Sequence, residues 1–252
     1  MPGVDDGAQA APDAQQSLEQ FRAHGVGDVI ATPHFSASLL LDPPAAAARL
    51  RELDGGWERL QQVADTIEGV RAYRGAEVML DAPQPDFSDA RIRLAGGRFV
   101  LVEMPFMSIP PNSARVLTHI RNQGFVPVLA HPERYHGMAP GSSVPVEWKA
   151  AGALLQVNGP SLLGKYGKTA KAAAADLLAR GLVDYLASDY HARGSPLVQD
   201  YRSWMDGHNG AEQAELLMVT NPARLLRGEM PLPVMPLRRE GRSLLKLLPW
   251  NR

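Results

Sequence analysis

The string VPVLAHPERY, residues 126–135, decides how the rest of the chain is read. Val126, Pro127, Val128, Leu129 and Ala130 carry no charge, and His131, Glu133 and Arg134 follow at once. So short an apolar run, without polar alternation, fits a strand covered on both faces, as in a parallel sheet flanked by helices. An imidazole, a carboxylate and a guanidinium then stand together just past the strand's C-terminal end.

Working outward, the same form recurs. Residues 28–31, 70–74, 99–102, 154–157 and 183–187 are compact runs rich in Val, Ile and Leu, each followed by a polar residue or a turn. Longer patterns of helical period fall between them, at 14–24, 45–65 and 168–180, with Gly25 and Gly181 as stops for the first and third. Asp54-Gly55-Gly56 is expected to break the second into two pieces. Strand and helix alternation of this kind predicts an α/β fold with parallel strands joined by crossover helices. The Pro-rich stretches 81–86 and 105–112 read as ordered surface connections, since the alternation continues across both.

The totals narrow the chemistry. A chain of 252 residues, 45% hydrophobic and 21% charged, can bury a substantial core. A formal charge of −1 offers no basic surface that would make nucleic acid the main partner. The absence of cysteine excludes disulfides, thiolate zinc sites and cysteine-nucleophile phosphatase chemistry. No apolar run approaches the roughly 18–20 residues of a membrane helix, and MPGVDDGAQA lacks the features of a signal peptide, so the cytoplasm is the expected location. From Glu229 onward the pattern changes to a tail with four prolines. Its last part sets Arg238, Arg239, Arg242, Lys246 and Arg252 against Glu240, among Leu244, Leu245, Leu247, Leu248 and Trp250. A poorly ordered terminus is the expectation, with contact to a membrane surface as the alternative.

His34, Glu77, Glu103, His131, Asp189 and His191 all fall at or just beyond the end of an expected strand. In a β/α barrel those ends converge on one mouth, so residues distant in sequence meet there. Imidazole with carboxylate and no thiolate suits manganese, iron or zinc. Asp189-x-His191 is expected to present both side chains to one side, as alternate strand residues do. Asp5-Asp6, between Gly3 and Gly7, adds a carboxylate in a tight turn. Any one of these histidines alone is more simply a backbone-bonded strand-end residue; the set of six reverses that reading. His24, His119, His136 and His208 lack the placement, and Glu133 reads either as a support or as a surface carboxylate.

PGVDDGA, VIATPHF, RGAEVML, LVEMPF, PVLAHPERY, LQVNGPSLLGKYG, LASDYH and TNPARLL, in this order, resemble the polymerase-and-histidinol-phosphatase (PHP) superfamily. Within it they are similar to the manganese-dependent tyrosine-protein phosphatases of capsule and exopolysaccharide operons. The resemblance runs from Pro2 to about Arg227 and implies a distorted, TIM-like (β/α)7 barrel over residues 1–228, with 229–252 as the tail. It implies up to three divalent ions, Mn2+ with Fe or Zn as alternatives, on Asp6, His34, Glu77, Glu103, His131, Asp189 and His191. Arg134 matches the family's phosphate-binding arginine, and Arg193 stands where a second is expected, closer to His191 than the pattern has it. The implied substrate is phosphotyrosine on a bacterial tyrosine kinase that controls polymer export. Other readings are a phosphoesterase of small substrates such as histidinol phosphate, or a non-catalytic regulatory protein. The family pattern also begins with a strand carrying His-x-His ahead of PGVDDG. That strand is not in this sequence, and a start placed too far downstream is the favoured explanation.

Overall fold

A computed structural model describes residues 1–237. The order is α1 (Ala11–Ala23), β1 (Asp28–Ala31), β2 (His34–Ser36), α2 (Pro43–Ala64), β3 (Arg71–Arg74), β4 (Glu77–Met79), β5 (Phe99–Glu103), α3 (Ser113–Asn122), β6 (Val126–Ala130), α4 (Val144–Ala150), β7 (Leu154–Asn158), α5 (Gly159–Leu162), α6 (Gly167–Ala179), β8 (Tyr185–Ala187) and α7 (Val198–Asp206), with the short α8 (Ala211–Glu215) and α9 (Asn221–Leu226) after it. Six parallel strands form one sheet in the order β2-β4-β5-β6-β7-β8, and β1 pairs in parallel with β3.

The two sheets are one ribbon with a bend. β1 leads into β2 through Thr32-Pro33 and β3 into β4 through Gly75-Ala76, and the ladder bridges the bend: Gly75 N–H donates to Ala31 O at 3.0 Å and Glu77 N–H to Pro33 O at 3.0 Å. The strands expected to end at Ala31 and Arg74 therefore resume. His34 and Glu77 become the first residues of β2 and β4, opposite each other in register. Three-residue strands that open on a charged group carry no hydrophobic pattern, which is why the sequence does not announce them.

The described residues contain no closed sheet. β8 ends the strand order on one side, and the ribbon of β1 and β2 ends it on the other. Between these edges lies a cavity of about 350 Å³ lined by Ile30, Leu101, Tyr185 and Ala187, with Leu18 and Phe21 from α1. The parallel α/β architecture is as expected; closure into a barrel is not seen, because the edges of β1 and β8 do not meet.

Helix α2 also departs from expectation, running unbroken through Asp54-Gly55-Gly56. Asp42 caps it by accepting the Ala45 N–H at 3.2 Å. Gly56 survives inside it because it is a contact point: a Cβ there would lie 2.1 Å from Cγ2 of Val4. The tail is packed for part of its length. Residues 229–237 form no helix or strand, yet Leu237 is buried and its N–H donates to Leu178 O at 2.9 Å. Packing against the core thus continues as far as Leu237; the basic stretch 238–252 lies outside the described residues.

Packing behind β7 is equally close. A Cβ on Gly159 would meet the buried ring of Tyr201 at 2.4 Å. Gly159→Ala is expected to destabilise the fold by about 1–3 kcal/mol, the usual cost of overpacking. The denaturant midpoint measures it, and an unchanged midpoint would show that the ring moves aside freely.

Candidate metal centre

Every strand of the large sheet delivers polar residues to one end. His34 and Glu77 open β2 and β4, Glu103 closes β5, His131 follows β6, Asn158 closes β7, and Asp189 and His191 follow β8. Tyr135, buried, fixes two of these ends together: its hydroxyl donates to Ala130 O at 2.9 Å and accepts from Met104 N–H at 3.1 Å.

Glu77, Glu103 and His131 form a buried group whose donor atoms lie within 4.8 Å of one another. His131 Nε2 is 2.7 Å from Glu77 Oε1 and 3.9 Å from Glu103 Oε2. Burial opposes the charged imidazole, but the Glu77 hydrogen bond and charge outweigh it and raise its proton affinity. Glu103 is pushed up first by burial and then by the charge of Glu77. His131 holds a left-handed backbone at φ 35°, a conformation costing about 1–3 kcal/mol in a non-glycine residue. Strain of that kind persists where surrounding packing dictates it, and here it aims the imidazole at two carboxylates.

Asp6, His34 and His191 form a second, more exposed group. Asp6 Oδ1 is 3.7 Å from His34 Nδ1 and 3.6 Å from His191 Nε2, and the two rings stack with centroids 6.2 Å apart. The turn carrying Asp6 is bound down by arginines of α2: Arg49 donates to Val4 O at 3.1 Å and His34 O at 2.8 Å, and Arg59 to Pro2 O at 2.8 Å.

Asp5 has a part that sequence reading did not give it. Its Oδ2 accepts the His34 backbone N–H at 2.6 Å and faces His34 Nδ1 at 2.6 Å. The Asp5 hydrogen bond outweighs desolvation and raises the His34 pKa to about 9. Burial works against ionised Asp5, yet its bonds to His34 hold it well below the usual carboxylate range. A raised imidazole pKa contributes stability that is complete below the unfolded value near 6.5 and is lost as pH climbs through about 9. Metal-free protein should therefore lose stability between pH 7 and 10. Asp5→Asn should flatten that slope and return the His34 pKa toward 6.5, followed by histidine NMR titration. A value still near 9 in the variant would assign the shift to another neighbour.

Asp189 and His191 do not share one group as alternate strand residues would. β8 has ended at Ala187, and Asp189 turns left-handed at φ 48°, yet the two side chains stay neighbours. His191 joins Asp6 and His34. Asp189 Oδ2 instead accepts Arg134 Nη1 and Asn158 Nδ2, each at 2.7 Å, while Oδ1 lies 3.9 Å from His191 Nδ1. Arg134 is stacked over the Tyr166 ring, 4.2 Å from its centroid. Behind them Glu133 is wholly buried, its carboxyl pushed up by desolvation. Its Oε1 accepts Asn158 N–H at 3.0 Å and Ser161 Oγ at 2.6 Å, which makes it a support and not a surface carboxylate. Arg193 donates to Asp6 O at 3.4 Å, beside the exposed group. Asn158 and Tyr166 were within the quoted string LQVNGPSLLGKYG but carried no signal as neutral side chains. His24, His119, His136 and His208 enter neither group.

The donor chemistry fits divalent cations. Two carboxylates crowd the buried imidazole, a disposition that a cation relieves and that hard or borderline metals accept. The shared register of His34 and Glu77 makes the two groups neighbours across one strand pair.

A family profile described as "Capsular polysaccharide synthesis, CpsB/CapC" matches residues 1–227. Tyrosine-protein phosphatase YwqE of Bacillus subtilis (strain 168) is 28% identical over 194 residues, 76% of this chain and 74% of YwqE. Tyrosine-protein phosphatase CpsB of Streptococcus pneumoniae is 28% identical over 240 residues, 90% of this chain and 95% of CpsB. A crystal structure from a study of YwqE and CpsB as "unique metal-dependent tyrosine phosphatases" matches with a TM-score of 0.73 and 24% identity. It covers 94% of this chain and 96% of that one, a likeness of fold.

Proposed function

The chain belongs to the CpsB/CapC family of capsular polysaccharide synthesis, and on that premise we propose that it is a metal-dependent protein-tyrosine phosphatase acting on a phosphotyrosine-bearing bacterial tyrosine kinase. The observation that carries the proposal is the meeting of two three-donor groups, joined by the His34–Glu77 register, beside an ordered guanidinium. In this reading Glu77, Glu103 and His131 hold one ion and Asp6, His34 and His191 another, with Asp189 lending its second oxygen. Mn2+ is the proposed metal, in up to three sites, with Fe and Zn as competitors. The barrel form of the fold belongs to the same proposal: the cavity between β1 and β8 has unpaired strand edges on either side, which one further parallel strand would join.

When bound, the ions would supply Lewis acidity toward the phosphoryl oxygens and make water a competent nucleophile at neutral pH. The chain's own residues do the rest. Arg134 is oriented through Nη1 by Asp189, and the remainder of its planar donor fork suits a phosphoryl oxygen. Arg193 would add a second positive charge on the side of Asp6. A tyrosine phenolate, with a pKa of roughly 10, departs without needing a strong acid.

No described helix is long and apolar enough to cross a membrane. A cytoplasmic site of action is part of the proposal. The test compares Mn2+-dependent turnover of a phosphotyrosine peptide, the phosphoserine peptide and histidinol phosphate. Preference for the first is the expected result; preference for histidinol phosphate would move the assignment to small substrates, and no turnover with any metal would favour a regulatory role.

A further inference from the structure

Tyr166 touches Arg134 yet is left open. It lies between Gly164 and Gly167, both left-handed at φ 82° and 90°, backbone that most side chains resist. Its ring is covered on one side by the Arg134 guanidinium at 4.2 Å. Arg134 is itself bound to Asp189, Asp189 to Asn158, and Asn158 to the buried Glu133. At the end of this chain of contacts the tyrosine remains 38% exposed. A large aromatic in contact with the arginine and still presented to solvent is a ready contact surface for a ligand.

Resting on the phosphatase reading above, we propose that Tyr166 is a specificity-determining residue, the aromatic wall against which the ring of an aryl phosphate packs while Arg134 takes the phosphoryl oxygens. A phosphoryl group accepted by the free edge of that guanidinium carries its ester substituent alongside the Tyr166 ring. A phenyl ester then packs ring against ring, and an alkyl ester has no such partner. Selection of tyrosine over serine esters thus arises from one neutral side chain next to the anion site.

Calorimetric binding of phenylphosphonate and methylphosphonate, with and without Mn2+, tests this without relying on turnover. Wild-type protein is expected to favour the phenyl compound, and Tyr166→Ala to lower the ratio of the two affinities by about three- to ten-fold. Tyr166→Phe, which keeps the ring, should retain the preference. Tyr166→Gln, long but without a ring, is measured in parallel in case the alanine variant folds poorly, and should lose it. Taking the ratio cancels any common change in how Arg134 holds phosphate. An unchanged ratio in both ring-less variants overturns the proposal, as does a wild-type ratio near one. Binding of neither phosphonate by the wild type would overturn it together with the phosphatase reading, so the two failures are distinguishable.

Discussion

His131→Ala is expected to lower hydrolysis of a phosphotyrosine peptide by at least about a hundred-fold, since groups that merely orient a metal ligand already cost ten- to a hundred-fold when removed. His131 stands at the centre of the buried group, its Nε2 facing both Glu77 and Glu103. Its backbone is left-handed and its ring meets that of Tyr135 edge-on at 5.8 Å. Without the imidazole, the buried Glu77 and the partly buried Glu103 face each other with less positive charge between them, and Glu103, already pushed up by burial and by Glu77, should hold its proton still more readily. A protonated carboxyl is a poor metal ligand. Values of kcat/KM over a Mn2+ titration measure the loss, with a circular dichroism melt to confirm folding. His119→Ala, on α3 and in neither donor group, is the control and should leave activity unchanged. Activity of the His131 variant within ten-fold of wild type would remove the buried group from the reaction.

The second large effect is on stability. The two donor groups bring several like charges close together, and a cation that binds only the folded arrangement stabilises it by mass action. At a free metal concentration about a hundred times Kd, the gain of about 2.7 kcal/mol corresponds to a melting temperature higher by roughly 5–10 °C for a chain of this size. Differential scanning calorimetry in chelator and then in excess Mn2+ reads the shift directly. Glu103→Gln should remove much of it, since the amide keeps the shape and loses the charge. A melting temperature indifferent to Mn2+, Fe2+ and Zn2+ alike would sink the metal reading, whatever the protein hydrolyses.

Particular elements show what the chain made legible. Val126–Ala130 and Asp28–Ala31 match the structure residue for residue, because an uncharged run between polar punctuation has one good use in a covered parallel sheet. Helices α1 and α6 were visible with their glycine stops and α2 as a helical pattern wrongly expected to break at Gly55-Gly56, whereas α3, α4 and α7 lie in stretches that were passed over. His34, Glu77, Glu103, His131 and His191 were recognisable as site candidates by position after a strand, and the structure brings all five into the two donor groups.

What the sequence determined by itself is local: which residues form covered strands, and that imidazoles and carboxylates follow them at one end of a parallel sheet. The sorting of those groups was decided only in three dimensions. Strand register set His34 opposite Glu77. A left-handed turn gave one Asp189 oxygen to Arg134 while the other stayed beside His191, and Asp5 rather than Asp6 bound the His34 ring. Asn158, Glu133 and Tyr166 acquired their places through contacts with segments tens of residues away. The physical reason is one of range: propensity and periodicity act over neighbouring residues, while donor geometry depends on how separate strands align and where the backbone accepts strain.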